Sequence, residues 1–181
     1  MKEICSFSLE ELKIWMGENG EKSFRAAQII DWMYVKDAAT FDEMSNMSKD
    51  LRAKLASQFS FPVLKLIKTQ ESEDQETIKF LWELPDQKRI ESVLIMSGDR
   101  RTVCVSCQVG CPARCAFCAS GKEGLMRNLS PAEIVEQVLH INRFVKTRGE
   151  RVSHVVFMGM GEPLENYEPV VKAVELFHLP E

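Results

Sequence analysis

No apolar run in this sequence approaches the ~18 residues that span a bilayer, and Met1–Lys13 lacks the apolar stretch of a secretory leader. Membrane-spanning and exported classes are therefore set aside, and the cytoplasm is the expected compartment. Strong charge of one sign is missing too: a formal net charge of −4 gives no global signal for a polyanionic partner. Internal repeats are absent. So is any second cluster of cysteines: five of the six lie between Cys104 and Cys118, and Cys5 stands alone without an assignable role. With no secretion signal, that clustering reads as metal or redox chemistry, not as a disulfide framework.

What is present suits a globular protein of one ordinary domain or two small ones, with 45% hydrophobic and 28% charged residues. Residues 8–60 read as a helical module. Ser8 with Glu11 makes a capping-box pattern. A second helix is predicted from Ser23 with Phe24, Ala27, Ile30 and Tyr34 on one face, and a third from Ser48 with Leu51, Leu55 and Phe59. Alternation then predicts strands over Val63–Lys68, Thr77–Leu84 and Arg89–Met96, with an acidic turn Gln70–Glu76 and a turn at Pro85–Gln87. From about residue 97 the order changes again. A strand Arg101–Ser106, a cysteine loop and a long helix come first; a strand Val152–Met158, a Gly-rich turn and a helix to about His178 follow. The long helix is marked by Ser130, Pro131, Glu133 and, past its end, Gly149. The predicted organisation is helical over 1–60, a small β segment over 61–96, and an α/β core over 97–181.

The core's chemistry sits in "GCPARCAFC", residues 110–118, where the spacing is C-x-x-x-C-x-x-C. A structural zinc site takes four ligands, commonly as paired C-x-x-C knuckles, and a cubane iron–sulfur cluster normally takes four thiolates. Three thiolates from Cys111, Cys115 and Cys118 leave one iron open to a small molecule. A zinc site completed by Cys107 or Cys104 is the alternative. Arg100, Arg101, Arg114, Lys122 and Arg127 make the neighbourhood basic, which suits an anionic ligand as well as it suits a solvated face. One βα unit later comes "MGMGEP", residues 158–163, at the strand end where barrel active sites lie; Glu162 there can accept from a ligand ammonium.

The three-cysteine loop, with aromatic Phe117 before its last cysteine, resembles that of the radical S-adenosylmethionine (SAM) enzymes. Taken with the Gly-rich turn, "CVSCQVGCPARCAFCASGKEGLMRNLSPAEI" and "VVFMGMGEPLENY" resemble the RlmN-like adenine carbon-2 methyltransferases of ribosomal and transfer RNA. The likeness extends to "SFRAAQIIDWMYVKDAATFDEMSNMSKDLRAKL" and "RIESVLIM", so it covers nearly the whole chain. The resemblance implies a helical N-terminal RNA-binding-like domain followed by the first two βα units of a partial (β/α) barrel. It also implies a [4Fe–4S] cluster on Cys111, Cys115 and Cys118, and SAM contacts from Gly161, Glu162 and Phe117. Glu91 would be a proton acceptor, and Cys104 a thiol that forms a transient disulfide during product release. The implied partners are 23S rRNA, tRNA and an electron donor such as a flavodoxin, with no membrane and a monomeric chain. From the residues alone, Glu91 reads as an exposed strand carboxylate and Cys104 as a buried strand cysteine.

Two features depart from the family pattern. The chain stops at Pro180-Glu181, after two βα units and without the family's methyl-carrying C-terminal cysteine, so it is expected to be truncated and inactive in methyl transfer on its own. Cys107 stands where the family usually has Ser. Pro163 favours carbon 2 over the sister carbon-8 enzymes, whose turn carries Ala. The remaining alternatives are a carbon-8 relative and a non-catalytic iron–sulfur or zinc and RNA-binding module.

Overall fold

The structure, a computed structural model, describes residues 1–61 and 64–179. A two-residue strand β1 (Lys2–Glu3) leads through a 3₁₀ turn into α1 (Leu9–Glu18). The capping box predicted for α1 is formed in both directions: the Glu11 amide donates to Ser8 Oγ at 3.3 Å and the Ser8 amide to Glu11 Oε2 at 2.7 Å. The second helix, α2 (Phe24–Ile30), runs on into a π-helical turn Asp31–Val35. Its buried face is Ala26, Ile29, Ile30 and Met33, with Tyr34 alongside. Phe24 and Ala27, predicted on that face, point to solvent instead. Phe24 heads the helix and carries the Arg25 guanidinium 5.0 Å over its ring, and the wider turn at Asp31 keeps both Met33 and Tyr34 inward. The third helix, α3 (Lys49–Gln58), is capped by Ser48 Oγ, which accepts from the Leu51 amide at 3.2 Å. Phe59 is buried as predicted, but from β2 (Phe59–Ser60), which pairs in parallel with β1; Phe7 and Trp15 each lie 5.1 Å from its ring.

Strands β3 (Lys65–Glu71), β4 (Thr77–Glu83), β5 (Arg89–Ser97) and β6 (Arg100–Cys104) follow. Next come β7 (Gln108–Gly110), β8 (Leu125–Asn128), α4 (Pro131–Lys146), β9 (His154–Val156) and α5 (Tyr167–Phe177). One five-stranded sheet has the order β3-β4-β5-β6-β9, antiparallel through β6 and parallel between β6 and β9. The architecture is therefore mixed α/β: a helical N-terminal unit, then a β6–loop–α4–β9–loop–α5 core of two parallel βα units. Because β5 pairs with β6, residues 65–97 and the core share one sheet.

Three strands end more than one residue from where the sequence reading placed them, each for a local reason. Gln70 and Glu71 lie in β3, since the turn is closed later by Ser72, whose amide donates to Thr77 O at 2.9 Å; Val63, predicted to open that strand, lies outside the described residues. Ser106 leaves the predicted β6 because its amide donates to the Gln137 side chain at 2.8 Å instead of to a strand. The predicted strand Val152–Met158 shrinks to three residues because Gly159 turns back, its amide donating to Val105 O at 3.1 Å.

One face of the sheet, with Ile78, Phe80, Trp82, Ile90, Leu94 and Val103, is buried; Phe80 meets Phe144 of α4 at 5.4 Å and Trp82 meets His140 at 5.2 Å. By the two-residue period of strands, Glu91 and Val93 lie on the opposite face, and Val93 pairs with Cys104. Helix α4 carries the predicted signals: Ser130 and Glu133 form a reciprocal capping box, Pro131 opens the helix, and Gly149 beyond it has φ 75°.

Candidate functional site

The cysteine loop hangs from a small antiparallel hairpin, β7–β8, that the sequence reading missed. Its strands are too short to show alternation. What closes the hairpin is a pair of glycines. Gly110 has φ 77°, and a Cβ there would run into Gly124 O, the same carbonyl that accepts from the Cys111 amide at 3.1 Å. Gly121 passes so close to the backbone that its Cβ would sit 2.9 Å from Arg114 Cα, and Arg114 itself has φ 49°.

Cys111 is buried at the root of the loop, Cys115 is exposed and Cys118 half-buried. The Cys118 amide donates to Cys115 O at 3.0 Å, and hydrogen bonds from Ser120 backbone and hydroxyl hold the Cys118 thiol below its ordinary range. Phe117 is 93% exposed. Among the described residues no three His, Cys, Asp or Glu side chains converge closely enough to hold a metal ion. The donor set nonetheless fits an iron–sulfur cluster, being three soft thiols on one loop anchored at its root; loading requires the three thiols to converge. Four convergent ligands for zinc are likewise not assembled among the described residues. Burial raises the Cys104 thiol, and burial, with Glu162 and Cys111 nearby, pushes Cys107 up to about 12.

The Gly-rich turn lies directly against this loop's entry. Met160 O accepts from the Cys107 and Gln108 amides at 2.9 and 3.2 Å, and the Glu162 amide donates to Gln108 Oε1 at 2.9 Å. Both glycines are required by this contact. A Cβ on Gly159 would lie 2.7 Å from Val105 O; Gly161 has φ 107°, and a Cβ there would lie 2.7 Å from Gln108 Cβ and 2.8 Å from Cys107 Sγ. Glu162 is half-buried and caps the following 3₁₀ turn, accepting from the Leu164 amide at 3.1 Å. Buried Asn166 fastens the turn's far side, donating to Cys107 O at 2.8 Å and Leu129 O at 3.0 Å.

The structure brings Glu91 and Cys104 to the same sheet face. Glu91 is half-buried, and its carboxylate is paired with Lys79 at 3.1 Å. Cys104 is buried at the end of β6. All six cysteines are free; the disulfide implied for Cys104 is not formed. A cavity of 640 Å³ lined by Tyr34, Val155, Phe157 and Phe177 runs beside β9 and touches none of these residues.

Sequence reasoning passed over the buried polar residues Ser92, Ser106, Gln108, Gln137 and Asn166. A signal was present in α4, where Glu133, Glu136 and Gln137 interrupt the apolar stripe at helical spacing.

The comparisons with known proteins agree with this layout. Residues 2–60 match the ribosomal RNA large subunit methyltransferase N-terminal domain, and residues 105–179 match the radical SAM superfamily. The chain is 55% identical over 179 residues to a probable dual-specificity RNA methyltransferase RlmN 2 of Protochlamydia amoebophila, covering 99% of this chain and 50% of that protein. It is 46% identical to a probable dual-specificity RNA methyltransferase RlmN of a Thermotoga species, covering 98% of this chain and 51% of the relative. A crystal structure of a radical SAM methyltransferase from Sphaerobacter thermophilus superposes with a TM-score of 0.93 at 40% identity, over 98% of this chain and 52% of that one. The chain spans about half the length of these relatives. Among the described residues no helix is long and apolar enough to cross a membrane.

Proposed function

We propose that this chain belongs to the RlmN family of radical SAM proteins and forms the cluster- and SAM-binding part of a methyltransferase acting on carbon 2 of adenine in 23S rRNA and tRNA. The observation that carries the reading is the pairing of two loops. Parallel strands β6 and β9 deliver the three-thiol loop and the Gly161–Glu162 turn side by side, joined through Met160 O. In the proposed roles Cys111, Cys115 and Cys118 hold a [4Fe–4S] cluster with one iron left open. Glu162 accepts from the SAM ammonium, Gly161 lets the turn pass close beneath it, and Phe117 folds over the ligand. When bound, the cluster supplies, from a donor such as a flavodoxin, the electron that makes SAM a radical source. Radical chemistry suits the target, because adenine carbon 2 is an electron-poor aromatic carbon that simple displacement on SAM does not methylate.

Glu91 would take up the proton lost from carbon 2, exchanging its Lys79 partner for substrate, and Cys104 on the same face would be the resolving thiol. Pro163 after Glu162 supports carbon 2 over carbon 8. The helical unit over residues 2–60 would hold the RNA, with the target adenine unstacked to reach the site. The chain would act as a monomer in the cytoplasm.

Anaerobic reconstitution with iron and sulfide, reduction, and EPR with and without SAM test the reading. A reduced [4Fe–4S] signal that shifts on adding SAM is the expected result. A colourless zinc protein, or a cluster indifferent to SAM, would replace it with the non-catalytic module.

A further inference from the structure

A chain of buried polar groups joins α4, β5, the entry to the cysteine loop and the Gly-rich turn. Gln137 is fully buried and uses its whole amide. Oε1 accepts from Ser92 Oγ at 2.7 Å and from the Ser106 amide at 2.8 Å; Nε2 donates to Ser106 O at 2.9 Å and Glu133 O at 3.0 Å. Ser92 in turn accepts from Trp82 Nε1 at 3.0 Å. Ser106, held fore and aft by Gln137, has only its hydroxyl left to use. That hydroxyl donates to the Glu91 carbonyl at 2.6 Å and accepts from the Met160 amide at 2.9 Å.

We propose that Ser106, seated by Gln137, is a positioning residue that sets the Gly161–Glu162 turn against the strand bearing Glu91. Glu91 O and the Met160 amide belong to two segments that no ladder joins, since β5 pairs with β6 and not with the turn. A single buried hydroxyl with one donor and one acceptor bridges them. Its rotor is fixed at both ends, and its backbone cannot shift without breaking two bonds to Gln137. A displacement of the turn therefore exposes a buried donor, which the fold opposes. The functional part of this inference rests on the turn's being the SAM contact; the positioning part does not.

Hydrogen–deuterium exchange of the cluster-free chain, compared across Ser106→Ala, Ser106→Cys and Ser92→Ala, tests the positioning. Ser92→Ala also deletes a buried hydroxyl from Gln137 but touches nothing in the turn. The expected result is a roughly three- to tenfold faster exchange of the Met160 and Glu162 amides in Ser106→Ala, a smaller acceleration in Ser106→Cys, and wild-type rates at both amides in Ser92→Ala. Unchanged Met160 exchange in both Ser106 variants, or equal acceleration in Ser92→Ala, overturns the inference. On reconstituted protein, the SAM concentration that half-shifts the EPR signal is expected to rise at least about threefold in Ser106→Ala at unchanged iron content. An unshifted midpoint overturns the role toward SAM. A wild-type cluster that ignores SAM instead removes the ligand reading and leaves exchange to decide the positioning.

Discussion

Gly161 carries the tightest constraint at the residue scale. Its φ is 107°, and a methyl group on its Cα would lie 2.7 Å from Gln108 Cβ and 2.8 Å from Cys107 Sγ, which leaves no room for a side chain. Gly161→Ala is expected to cost about 2–4 kcal/mol, combining backbone strain with overpacking, as measured by urea denaturation. A loss below about 0.5 kcal/mol would contradict the close contact. His140 gives the pH dependence. It packs on Trp82, its Nε2 lacks a hydrogen-bond partner, and burial, reinforced by Arg143, depresses its pKa from 6.5 to about 4. The unfolded chain thus binds a proton between those values that the folded chain refuses. Stability is complete above about pH 6.5 and falls as pH drops toward 4, by up to roughly 3 kcal/mol from this group. His140→Phe should flatten that part of the stability–pH curve, and an unaltered slope would contradict the assignment. Cys111, Cys115 and Cys118, proposed to hold the cluster, stood out in the sequence because spacing is itself the signal. Ser106 and Gln137 did not, because a buried polar residue is recognisable only once its neighbours are known.

Among the elements, those that announce their own ends were legible. Helices α1, α3 and α4 begin at the serine caps the sequence marks, and β4 and β5 follow their alternation. The face of α2 was misplaced because a π turn, which has no sequence signature here, resets the helical phase. The β7–β8 hairpin was invisible because its stability comes from the contact of Gly110 with Gly124, far apart in the chain. At α4, Ser130 caps the Glu133 amide at 3.1 Å and also donates to Glu3 Oε2 at 2.8 Å. Ser130→Ala is expected to lower stability by about 1–2 kcal/mol by denaturant titration. The cysteine loop has a proteolytic signature. With Phe117 93% exposed, chymotrypsin should cut the cluster-free protein after Phe117 first. Reconstitution with cluster and SAM should slow that cut at least about tenfold, and equal cleavage would mean that the loop does not close on a ligand.

Across the whole molecule, one mixed sheet organises the site. Its buried face binds α4, whose Gln137 reaches through to the loop entry, while the other face presents Glu91 and Cys104 beside the parallel strand ends. The α/β order of the core was legible from alternating strand and helix signals. That β5 continues the core's sheet was not, because strand pairing between neighbouring segments leaves no mark on either. The proposal that an open iron on this loop binds SAM is tested most directly by electron–nuclear double resonance of the reduced, reconstituted protein, with SAM labelled by ¹⁵N at its amino group. A nitrogen coupling to the cluster is expected, and it should be lost when Cys118 is replaced by Ala. A cluster that forms on this loop but shows no coupling to the labelled amine would contradict SAM binding at the open iron.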